Sequence, residues 1–527
     1  MKDPSARIAS LLGTKYTGKT PGISLGVRCN GETLYEGQLG LANLEHDVPV
    51  TPRTKFNIAS LSKQFTAYLA ACRIQEGNLG YHDPITRYLP DFPTYGQQIE
   101  VCHLIHHTSG IRNSFPDLLT LAGFRMADVI ANNDALALIY RQKGLNHPPG
   151  EEFLYSNSNY VLLAHILERV GKERFGSLCR NHIFHPLSMD DSVVRENLSH
   201  VYHHRSECYY QGGNRLFQIP LNDTVQGPTN IYTTTSDLLK WMDFLQSEPN
   251  REVWKTMTQP GVLNNGKQLD YCFGLEKSEH KGSLVFSHEG GHGGFTSSMA
   301  IFPEERLSVV LLSNRFSWSL KATAMKIADL FLPKAKRRAL PLSPQPQAEK
   351  AERQSISHDG LEGFYYSPRR GNIRHVEKRE KALLYNGFEM KPVGPNHFLL
   401  KLEPSVHVRF SGTKMNVRGN NENYDYEKLE GHVSQADLSE YSGTYHSAEL
   451  QVSWELRLER GKLKARRKKY PDTLLKQVFH DFFSDNWRKI TGFEMDLLLR
   501  FTRDTRNQIT GFTLTSDGAR QIRFEKA

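Results

Sequence analysis

A short motif occurs twice in the last third of the chain, and this repeat restricts the fold more than any other sequence feature. Residues 361–367, Leu-Glu-Gly-Phe-Tyr-Tyr-Ser, recur as residues 441–447, Tyr-Ser-Gly-Thr-Tyr-His-Ser. Residues 426–428, Tyr-Glu-Lys, recur at the end of the chain as 524–526, Phe-Glu-Lys. Each copy consists of short strand patterns and turns with little helical periodicity. We therefore predict two similar modules, each a small antiparallel barrel or sandwich.

The region before the repeat has strand patterns at both ends and helical patterns between them. Residues 22–28 and 33–37 alternate as a hairpin joined through Asn30-Gly31, and further strands are predicted at 271–275, 283–288 and 307–314. Helices are predicted at 104–111, 134–143, 159–170 and 321–331. This order favours an α+β fold with one antiparallel sheet and an inserted helical lobe. The proline-rich segment 333–357 is predicted to be a linker.

Composition narrows the functional classes. The 527 residues, 38% hydrophobic and 23% charged, are typical of a globular protein of two or three domains. No window approaches the ~18 apolar residues of a membrane span. The N-terminus has no apolar leader core, so we expect no membrane partner and a cytoplasmic protein, or a chain whose leader is missing. The basic run 462–469 lacks a surrounding nucleic-acid-binding motif, so we expect no nucleic-acid partner.

Ser60 and Lys63 form a Ser-x-x-Lys pair at the start of a helical run that ends near Gly77. Residues three apart share one face of a helix, so the amine lies one turn from the hydroxyl. A lysine has a pKa of about 10.4, and it can deprotonate a serine only if burial lowers that pKa to about 7, a cost of ~4 kcal/mol. An isolated Ser-x-x-Lys is more often a helix cap followed by a solvated lysine. Partner motifs must therefore decide its meaning.

A second motif is Tyr155-Ser156-Asn157, which follows Pro148-Pro149-Gly150 and precedes a predicted helix. It offers a phenol and a carboxamide from one short turn. The phenol of Tyr155, with a pKa near ~10, becomes a useful base only if a cation such as Lys63 lowers that pKa. The alternative is an ordinary helix N-terminus capped by Asn157 or Asn159.

A third motif, His288-Glu289-Gly290-Gly291-His292, matches the His-Glu-x-x-His pattern of zinc metalloproteases. That chemistry needs both histidines on one helix, and each of the glycines would cost a helix about 1 kcal/mol. A strand is the better prediction. It would direct the His288 imidazole into a cleft, while Gly290 and Gly291 let a substrate backbone approach and offer an N–H group. Zinc metalloprotease stays as a remote alternative, and we expect no metal and no other cofactor.

Taken in order, the three motifs resemble the penicillin-binding protein and serine β-lactamase superfamily, in its class C-like branch. This resemblance covers about residues 6–332. The continuation Lys63-Gln64-Phe65-Thr66 and residues 443–450 are similar to the D-aminopeptidases of that branch, whose length also fits. The resemblance implies a β-lactamase-like antiparallel sheet flanked by helices with a helical lobe, followed by two small antiparallel β-barrel domains. The domains expected are 1–332, 358–431 and 432–527.

The resemblance also implies a serine hydrolase that works through an acyl-enzyme on small amide, peptide or ester substrates. The implied catalytic residues are Ser60, Lys63 and Tyr155. Asn157 and His288 would orient substrate or base. The residues implied for substrate and oxyanion binding are Gly290 and Gly291, together with the N–H group of Ser60. β-Lactams are implied as possible inhibitors, and the oligomeric state, a homodimer included, is left open.

We expect release of an N-terminal D-amino acid from peptides and amides, with one reservation about selectivity. In D-aminopeptidases a loop of the last β module presents a carboxylate to the substrate amine. The corresponding segment after Trp487 is shorter and contains Arg488 and Lys489, so only Glu494 and Asp496 could replace that carboxylate. An esterase or β-lactamase-like hydrolase without a free-amine requirement is therefore the first alternative. A catalytically silent binding module is a more remote one.

Overall fold

The computed structural model describes residues 4–317, 320–332, 360–379, 382–401, 406–419, 422–430, 437–485 and 497–527. It divides into two compact units. The first draws on Met1–Ser109, Met126–Ala137 and Asn157–Leu340, and the second on Gly110–Arg125, Leu138–Ser156 and Pro341–Ala527. The predicted linker 333–357 and the carboxylates Glu494 and Asp496 lie outside the described residues. The domain boundaries given above stay predictions.

The helices and the first thirteen strands have the following bounds. The helices are α1 (Ser5–Leu12), α2 (Ser62–Gln75), α3 (Val101–Ile105), α4 (Leu119–Leu121), α5 (Asn132–Arg141), α6 (Asn157–Gly171), α7 (Phe175–Cys179), α8 (Thr235–Leu245), α9 (Arg251–Met257) and α10 (Leu320–Ala328). The strands are β1 (Ile23–Cys29), β2 (Glu32–Leu39), β3 (Leu41–Asn43), β4 (Val48–Pro49), β5 (Phe56–Asn57), β6 (Val193–Val194), β7 (Tyr209–Gly212), β8 (Arg215–Gln218), β9 (Ile231–Thr233), β10 (Glu276–His280), β11 (Ser283–His292), β12 (Phe295–Phe302) and β13 (Leu307–Ser313). Of the helices in this described part of the chain, none is both long enough and apolar enough to cross a membrane.

The first unit is built on an antiparallel sheet whose strand order is β10-β11-β12-β13-β1-β2. This confirms the predicted sheet with strands from both ends of the region. The β1–β2 hairpin turns through Asn30 and Gly31, with φ of 51° and 79°. Two successive positive φ angles are what an Asn-Gly hairpin turn requires.

Helices cover both faces of this sheet. On one face, apolar side chains of β1 such as Leu25 and Val27 share a buried cluster with Ile8 of α1 and Ile327 of α10. On the other face α8 lies against β1, where the Ser24 and Thr235 hydroxyls are 2.8 Å apart. Successive side chains of β1 therefore pack against helices on both faces of the sheet, rather than against a core on one face and solvent on the other.

Helix α2 is buried on all sides, since every residue from Ser62 to Ala71 is buried. Phe65 of this helix stacks on Trp241 of α8 with the ring centroids 4.5 Å apart. The helix ends at Gln75, close to the predicted end near Gly77. Gly77 has a φ of 73°, the left-handed conformation that commonly follows the last turn of a helix. The first ten residues of α2, including the polar Ser62 and Lys63, are therefore held in the interior of the unit.

Two predictions in this unit were wrong in detail. The helix expected over 104–111 is α3, which ends at Ile105. The strand expected over 271–275 is a turn, and β10 starts only at Glu276. The reason lies at Gly274, where φ is 68° and a Cβ would lie 2.9 Å from the backbone of Lys63. The chain turns there because it packs directly on the start of α2.

The second unit contains two closed antiparallel barrels of eight strands each. The strands of the first barrel are β14 (Gly363–Ser367), β15 (Asn372–Arg379), β16 (Ala382–Tyr385), β17 (Phe388–Gly394), β18 (His397–Leu400), β19 (His407–Ser411), β20 (Lys414–Gly419) and β21 (Glu422–Lys428). Those of the second are β22 (Gly443–Ser447), β23 (Val452–Glu459), β24 (Lys462–Arg466), β25 (Thr473–Phe479), β26 (Phe482–Asp485), β27 (Leu498–Arg503), β28 (Ile509–Thr515) and β29 (Ile522–Lys526). The expected pair of barrels is confirmed.

The sequence repeat marks the closure of each barrel. In the first barrel Tyr365 pairs with Lys428, and in the second Tyr445 pairs with Lys526. Each tyrosine also donates its hydroxyl to a carbonyl four residues back, over 2.9 Å in the first barrel and 2.8 Å in the second. The motif recurs because each copy joins the first strand of its barrel to the last.

Two segments from the middle of the sequence also belong to the second unit. Arg112 contacts Glu449 over 2.5 Å, and both side chains are buried. Glu152 pairs with Arg520 over 3.3 Å, and Asp117 accepts a hydrogen bond from the Ser516 hydroxyl over 2.6 Å. Buried charges need such partners, so these contacts fix segments 110–125 and 138–156 within this unit.

Candidate active site

The Ser60 hydroxyl lies on a tight turn that leads into α2. Residues Ala59–Leu61 form a 3-10 turn, and α2 continues from Ser62, so Lys63 stands one turn after the half-buried Ser60. Ala59 has φ of 48°, a left-handed conformation that is unfavourable for a residue with a side chain. Its N–H group donates to Asn57 Oδ1 over 2.8 Å. The turn is thus held in a strained conformation directly before the predicted nucleophile.

The Lys63 amine lies against oxygen atoms of several residues. Its Nζ lies 3.0 Å from Ser60 Oγ, 2.7 Å from Asn157 Oδ1 and 3.2 Å from the carbonyl oxygen of Pro228. The carboxamide and carbonyl oxygens can only accept hydrogen bonds. A neutral amine can therefore donate its two hydrogens to Asn157 and Pro228 and turn its lone pair toward the Ser60 hydroxyl. This is the geometry that a general base needs.

Burial makes the neutral form of Lys63 accessible. The side chain is fully buried, and desolvation lowers its pKa well below the ordinary value of 10.5. Desolvation disfavours the charged form of an amine, because the low-dielectric surroundings cannot replace its hydration. Burial therefore shifts the Lys63 pKa in the direction that a lysine base requires.

Asn157 is the first residue of α6 and the last residue of the second motif, and it contacts Lys63 within the first unit. The structure therefore brings together Ser60, Lys63 and Asn157. Tyr155 is half-buried in the segment just before α6. By its contacts Tyr155 is assigned to the second unit, so its catalytic role stays a prediction from the motif.

His288 lies buried on β11 as a neutral imidazole. Its Nδ1 is 2.6 Å from the Glu289 carbonyl oxygen and must donate there, so Nε2 accepts from the Tyr271 hydroxyl over 3.2 Å. Burial, opposed by the nearby charge of Glu276 and assisted by that of Lys63, lowers the pKa of His288 to about 4. At neutral pH this histidine is a fixed, uncharged polar group rather than a cation.

The second histidine of the third motif has a different environment. His292 Nε2 lies 2.8 Å from Asp223 Oδ2, and both side chains are buried. Both histidines are on the strand Ser283–His292, so the helix of the zinc metalloprotease pattern is not formed. Asp223 also accepts from Asn230, whose Oδ1 in turn accepts from Asn57 over 3.1 Å. This buried network therefore ends at the residue that holds the turn before Ser60.

Sequence reasoning missed Asn57, Pro228, Asn230, Asp223 and Tyr271. Asn57 alone carried a local signal, since an asparagine two residues before a strained position often holds it by such a hydrogen bond. Asn57 and Asn230 are 173 positions apart in the chain. Contacts of this range cannot be inferred from spacing in one sequence.

Gly290 packs against the turn that carries Ser60, whereas Gly291 does not. A Cβ at Gly290 would lie 2.3 Å from Ser297 Oγ, 2.5 Å from the Ile58 carbonyl oxygen and 3.0 Å from the Ala59 Cβ. A Cβ at Gly291 would meet no atom within 4 Å. The two glycines therefore face a packed and an open environment, respectively.

We expect Gly290→Ala to lower the free energy of unfolding by about 1–3 kcal/mol, because the added methyl overpacks the turn. The displaced hydroxyl of Ser60 should lower kcat/KM by about 10²-fold. Gly291→Ala is the matched control for stability, with an expected change within about 0.5 kcal/mol. Thermal or denaturant unfolding of the two variants measures the difference, and equal stability would contradict the assigned packing.

Comparison with known families gives two matches along the chain. The family model described as Beta-lactamase matches residues 7–331. A second model, described as a domain of unknown function, DUF3471, matches residues 427–526. The first match covers more than half of the chain and contains all three motifs.

Individual relatives are similar over part of the chain. Penicillin-binding protein 4* of Bacillus subtilis is 30% identical over 306 residues, 54% of this chain and 66% of that protein. A D-aminopeptidase of Gluconobacter oxydans is 27% identical over 341 residues, 62% of each chain. The chain thus matches less than two thirds of the length of either relative.

A solved structure can serve as an example of similarity along almost the whole chain. It is the octameric penicillin-binding protein homologue from Pyrococcus abyssi, with a TM-score of 0.55, 19% identity and 99% of both chains covered. At this identity the similarity shows the fold alone. The arrangement of a sheet-and-helix region followed by barrels is thus known from another protein.

Proposed function

The chain belongs to the beta-lactamase family, and from this premise we propose that it is a serine hydrolase that releases an N-terminal D-amino acid from small peptides and amides. The observation that carries the proposal is the 3.0 Å contact between the buried Lys63 amine and the Ser60 hydroxyl. A buried, neutral amine in this position is the activating base that a serine nucleophile lacks on its own.

In the proposed acylation step, Lys63 takes the proton of Ser60 while Ser60 Oγ bonds to the substrate carbonyl carbon. The tetrahedral intermediate then collapses, the bond to the leaving amine breaks, and that amine receives the proton held by Lys63. Tyr155 is proposed to share this proton transfer. Water then adds to the acyl-enzyme ester and releases the acid, returning the proton to Ser60.

The oxyanion of that intermediate is proposed to bind the N–H groups of Ser60 and Gly291. The pairing of β11 with β10 ends at Ser287, whereas β11 pairs with β12 as far as His292. The half of β11 that contains Gly291 is therefore not paired with β10. The open space next to Gly291 supports the approach of a substrate carbonyl there.

Electrostatics in this site depend on neutral groups. With His288 uncharged and Lys63 neutral in its active form, the site can accept the proton of Ser60 without a second cation beside the amine. Asn157 is proposed to fix the direction of the Lys63 amine through its 2.7 Å contact. β-Lactams, which offer a strained amide carbonyl, are proposed as acylating inhibitors of the same serine.

The proposed substrate class rests on the similarity to the D-aminopeptidase of Gluconobacter oxydans. A second candidate, an esterase or β-lactamase-like hydrolase without a free-amine requirement, is favoured by one sequence observation. Arg488 and Lys489 stand in the segment that corresponds to the carboxylate-bearing loop of D-aminopeptidases. Both side chains would repel a substrate ammonium.

We expect hydrolysis of D-alanine p-nitroanilide with retention of measurable activity on its N-acetylated form. The reason is that only Glu494 and Asp496 remain in this segment to pair with the substrate amine. The measurement is kcat/KM for both substrates and for the L-enantiomer, with the Ser60→Ala variant as the blank. Complete loss of turnover on acetylation would show that a carboxylate still selects the amine. Preference for the L-enantiomer would contradict the proposed substrate class.

A further inference from the structure

A histidine, a glutamate and a cysteine meet on the first unit, in a place that the proposed hydrolysis does not use. His82 Nδ1 lies 2.9 Å from Glu100 Oε2, and Cys102 Sγ lies 3.5 Å from the same oxygen and 3.9 Å from His82 Nδ1. One donor atom from each residue falls within 4.8 Å of the other two. We propose that these three side chains bind a zinc ion.

The spacing of the three donor atoms fits a tetrahedral ion. Zinc bonds of about 2.0–2.2 Å to nitrogen and oxygen and about 2.3 Å to sulfur place tetrahedral ligand atoms roughly 3.3–3.6 Å apart. The observed distances of 2.9, 3.5 and 3.9 Å bracket that range. Small side-chain rotations therefore suffice, and the backbone need not move.

The donor set also selects the class of metal. A thiolate and an imidazole favour zinc over magnesium or calcium, which prefer oxygen ligands. The fourth position is left for water, since the His82 side chain is 76% exposed and the cluster faces solvent on that side. The Cys102 thiol would release its proton to solvent as the sulfur–metal bond forms, because zinc binds the thiolate.

The backbone holds the donors in place before any ion binds. The Cys102 N–H donates to the Tyr81 carbonyl over 2.9 Å, and the Val101 N–H donates to the Asp83 carbonyl over 3.0 Å. These bonds join the two chain segments that carry the ligands. Glu100 caps α3, where its N–H donates to His103 Nδ1 over 3.0 Å. A preorganised donor set lowers the entropy lost on binding.

The position of the cluster indicates what the ion would do. His82 and Glu100 lie on either side of the loop 84–99, and a bridge between Pro84 and Glu100 closes the base of this loop. That loop lines a cavity of about 300 Å³ with side chains that include Phe92 and Ile99. A zinc ion would clamp the base of the loop and oppose its local opening.

The test uses the full chain after dialysis against a chelator, titrated with Co²⁺ as a spectroscopic probe for zinc. We expect a thiolate-to-cobalt charge-transfer band that Zn²⁺ abolishes by displacement. Cys102→Ser should lose the band, and His82→Ala should weaken binding by about tenfold or more. Cys29→Ser, which removes a half-buried thiol elsewhere in the unit, should keep it.

Absence of the band in the wild-type chain would overturn the proposal, and so would its persistence in Cys102→Ser. If the Cys102→Ser variant unfolds in chelator, the test rests on His82→Ala, which replaces an exposed side chain. A His82→Ala variant that binds cobalt as tightly as the wild-type chain would exclude the site. A rise of Tm with Zn²⁺ that is absent in His82→Ala would support the clamp. No substrate is used, so the result is independent of the proposed hydrolysis.

Discussion

Ser60→Ala is expected to lower kcat/KM by ~10⁶-fold and to prevent covalent labelling of the protein. The reason is that Ser60 Oγ is the hydroxyl that the buried Lys63 amine reaches, over 3.0 Å. Intact-mass analysis after treatment with a fluorophosphonate or a penicillin should show one adduct on the wild-type chain and none on the variant. A burst of product with an activated ester should disappear in parallel.

The motif offers a matched control two residues away. Ser62 is fully buried, and its Oγ accepts a hydrogen bond from the Ile231 N–H over 3.3 Å. Ser62→Ala should therefore keep the adduct while losing about 1 kcal/mol of stability. An adduct on Ser60→Ala would end the assignment of the nucleophile. A wild-type chain that forms no adduct would instead support the binding-module alternative.

The parts of the fold that could be predicted from the sequence are those determined by the conformational preferences of neighbouring residues or by a repeated motif. The Asn30-Gly31 turn needs two positive φ angles, which few other residue pairs adopt, and the hairpin formed there. The repeat predicted two similar modules because Tyr365 and Tyr445 perform the same closure in each barrel. Features that recur for one physical reason are visible without a structure.

The central strand β12 was missed for an equally physical reason. All of its residues from Phe295 to Phe302 are buried, because sheet neighbours and helices cover both faces. Such a strand shows no alternation of polar and apolar positions, and Thr296, Ser297 and Ser298 made its first half resemble a loop. Strand β13 is buried throughout as well, but its nearly continuous apolar run allowed it to be predicted.

In the candidate site, too, contacts between residues close in sequence could be predicted, whereas most contacts between distant residues could not. Ser60 and Lys63 are one turn apart, so their contact followed from helix geometry alone. The partners that tune this pair come from distant positions, since Asn157 and Pro228 lie 94 and 165 residues from Lys63. The motif predicted Asn157, whereas a backbone carbonyl such as that of Pro228 leaves no trace in residue identity.

The zinc metalloprotease pattern shows how a motif misleads outside its structural context. On strand β11 the two histidines make different contacts. His288 accepts from Tyr271, and His292 pairs with Asp223 in the network that reaches the Ser60 turn. The glycines between them predicted that no helix would form, and the segment is a strand. The backbone preference of glycine was therefore more informative here than the match to the residue pattern.

Lys63→Ala is expected to lower kcat/KM by at least ~10³-fold, because Ser60 loses the base that takes its proton. Lys63→Arg separates this role from electrostatics. A guanidinium keeps the positive charge and cannot be deprotonated in a protein. If Lys63 acts as a base, Lys63→Arg should be as inactive as Lys63→Ala, whereas substantial recovery in Lys63→Arg would assign the side chain to charge stabilisation instead. Thermal unfolding of both variants checks that the fold is kept.

The pH profile of the wild-type chain tests the same assignment without a substitution. Burial lowers the pKa of Lys63 well below 10.5, and the active form is the deprotonated amine. The rate should therefore rise with pH through that lowered pKa and reach a plateau before pH 10.5, where an exposed lysine would be only half deprotonated. Below the lowered pKa, kcat/KM should fall about tenfold per pH unit, since each unit removes that fraction of neutral amine. His288, with a pKa of about 4, stays neutral across this range and cannot produce the limb. A rate that stays constant as the pH falls to 5 would therefore contradict Lys63 as the base.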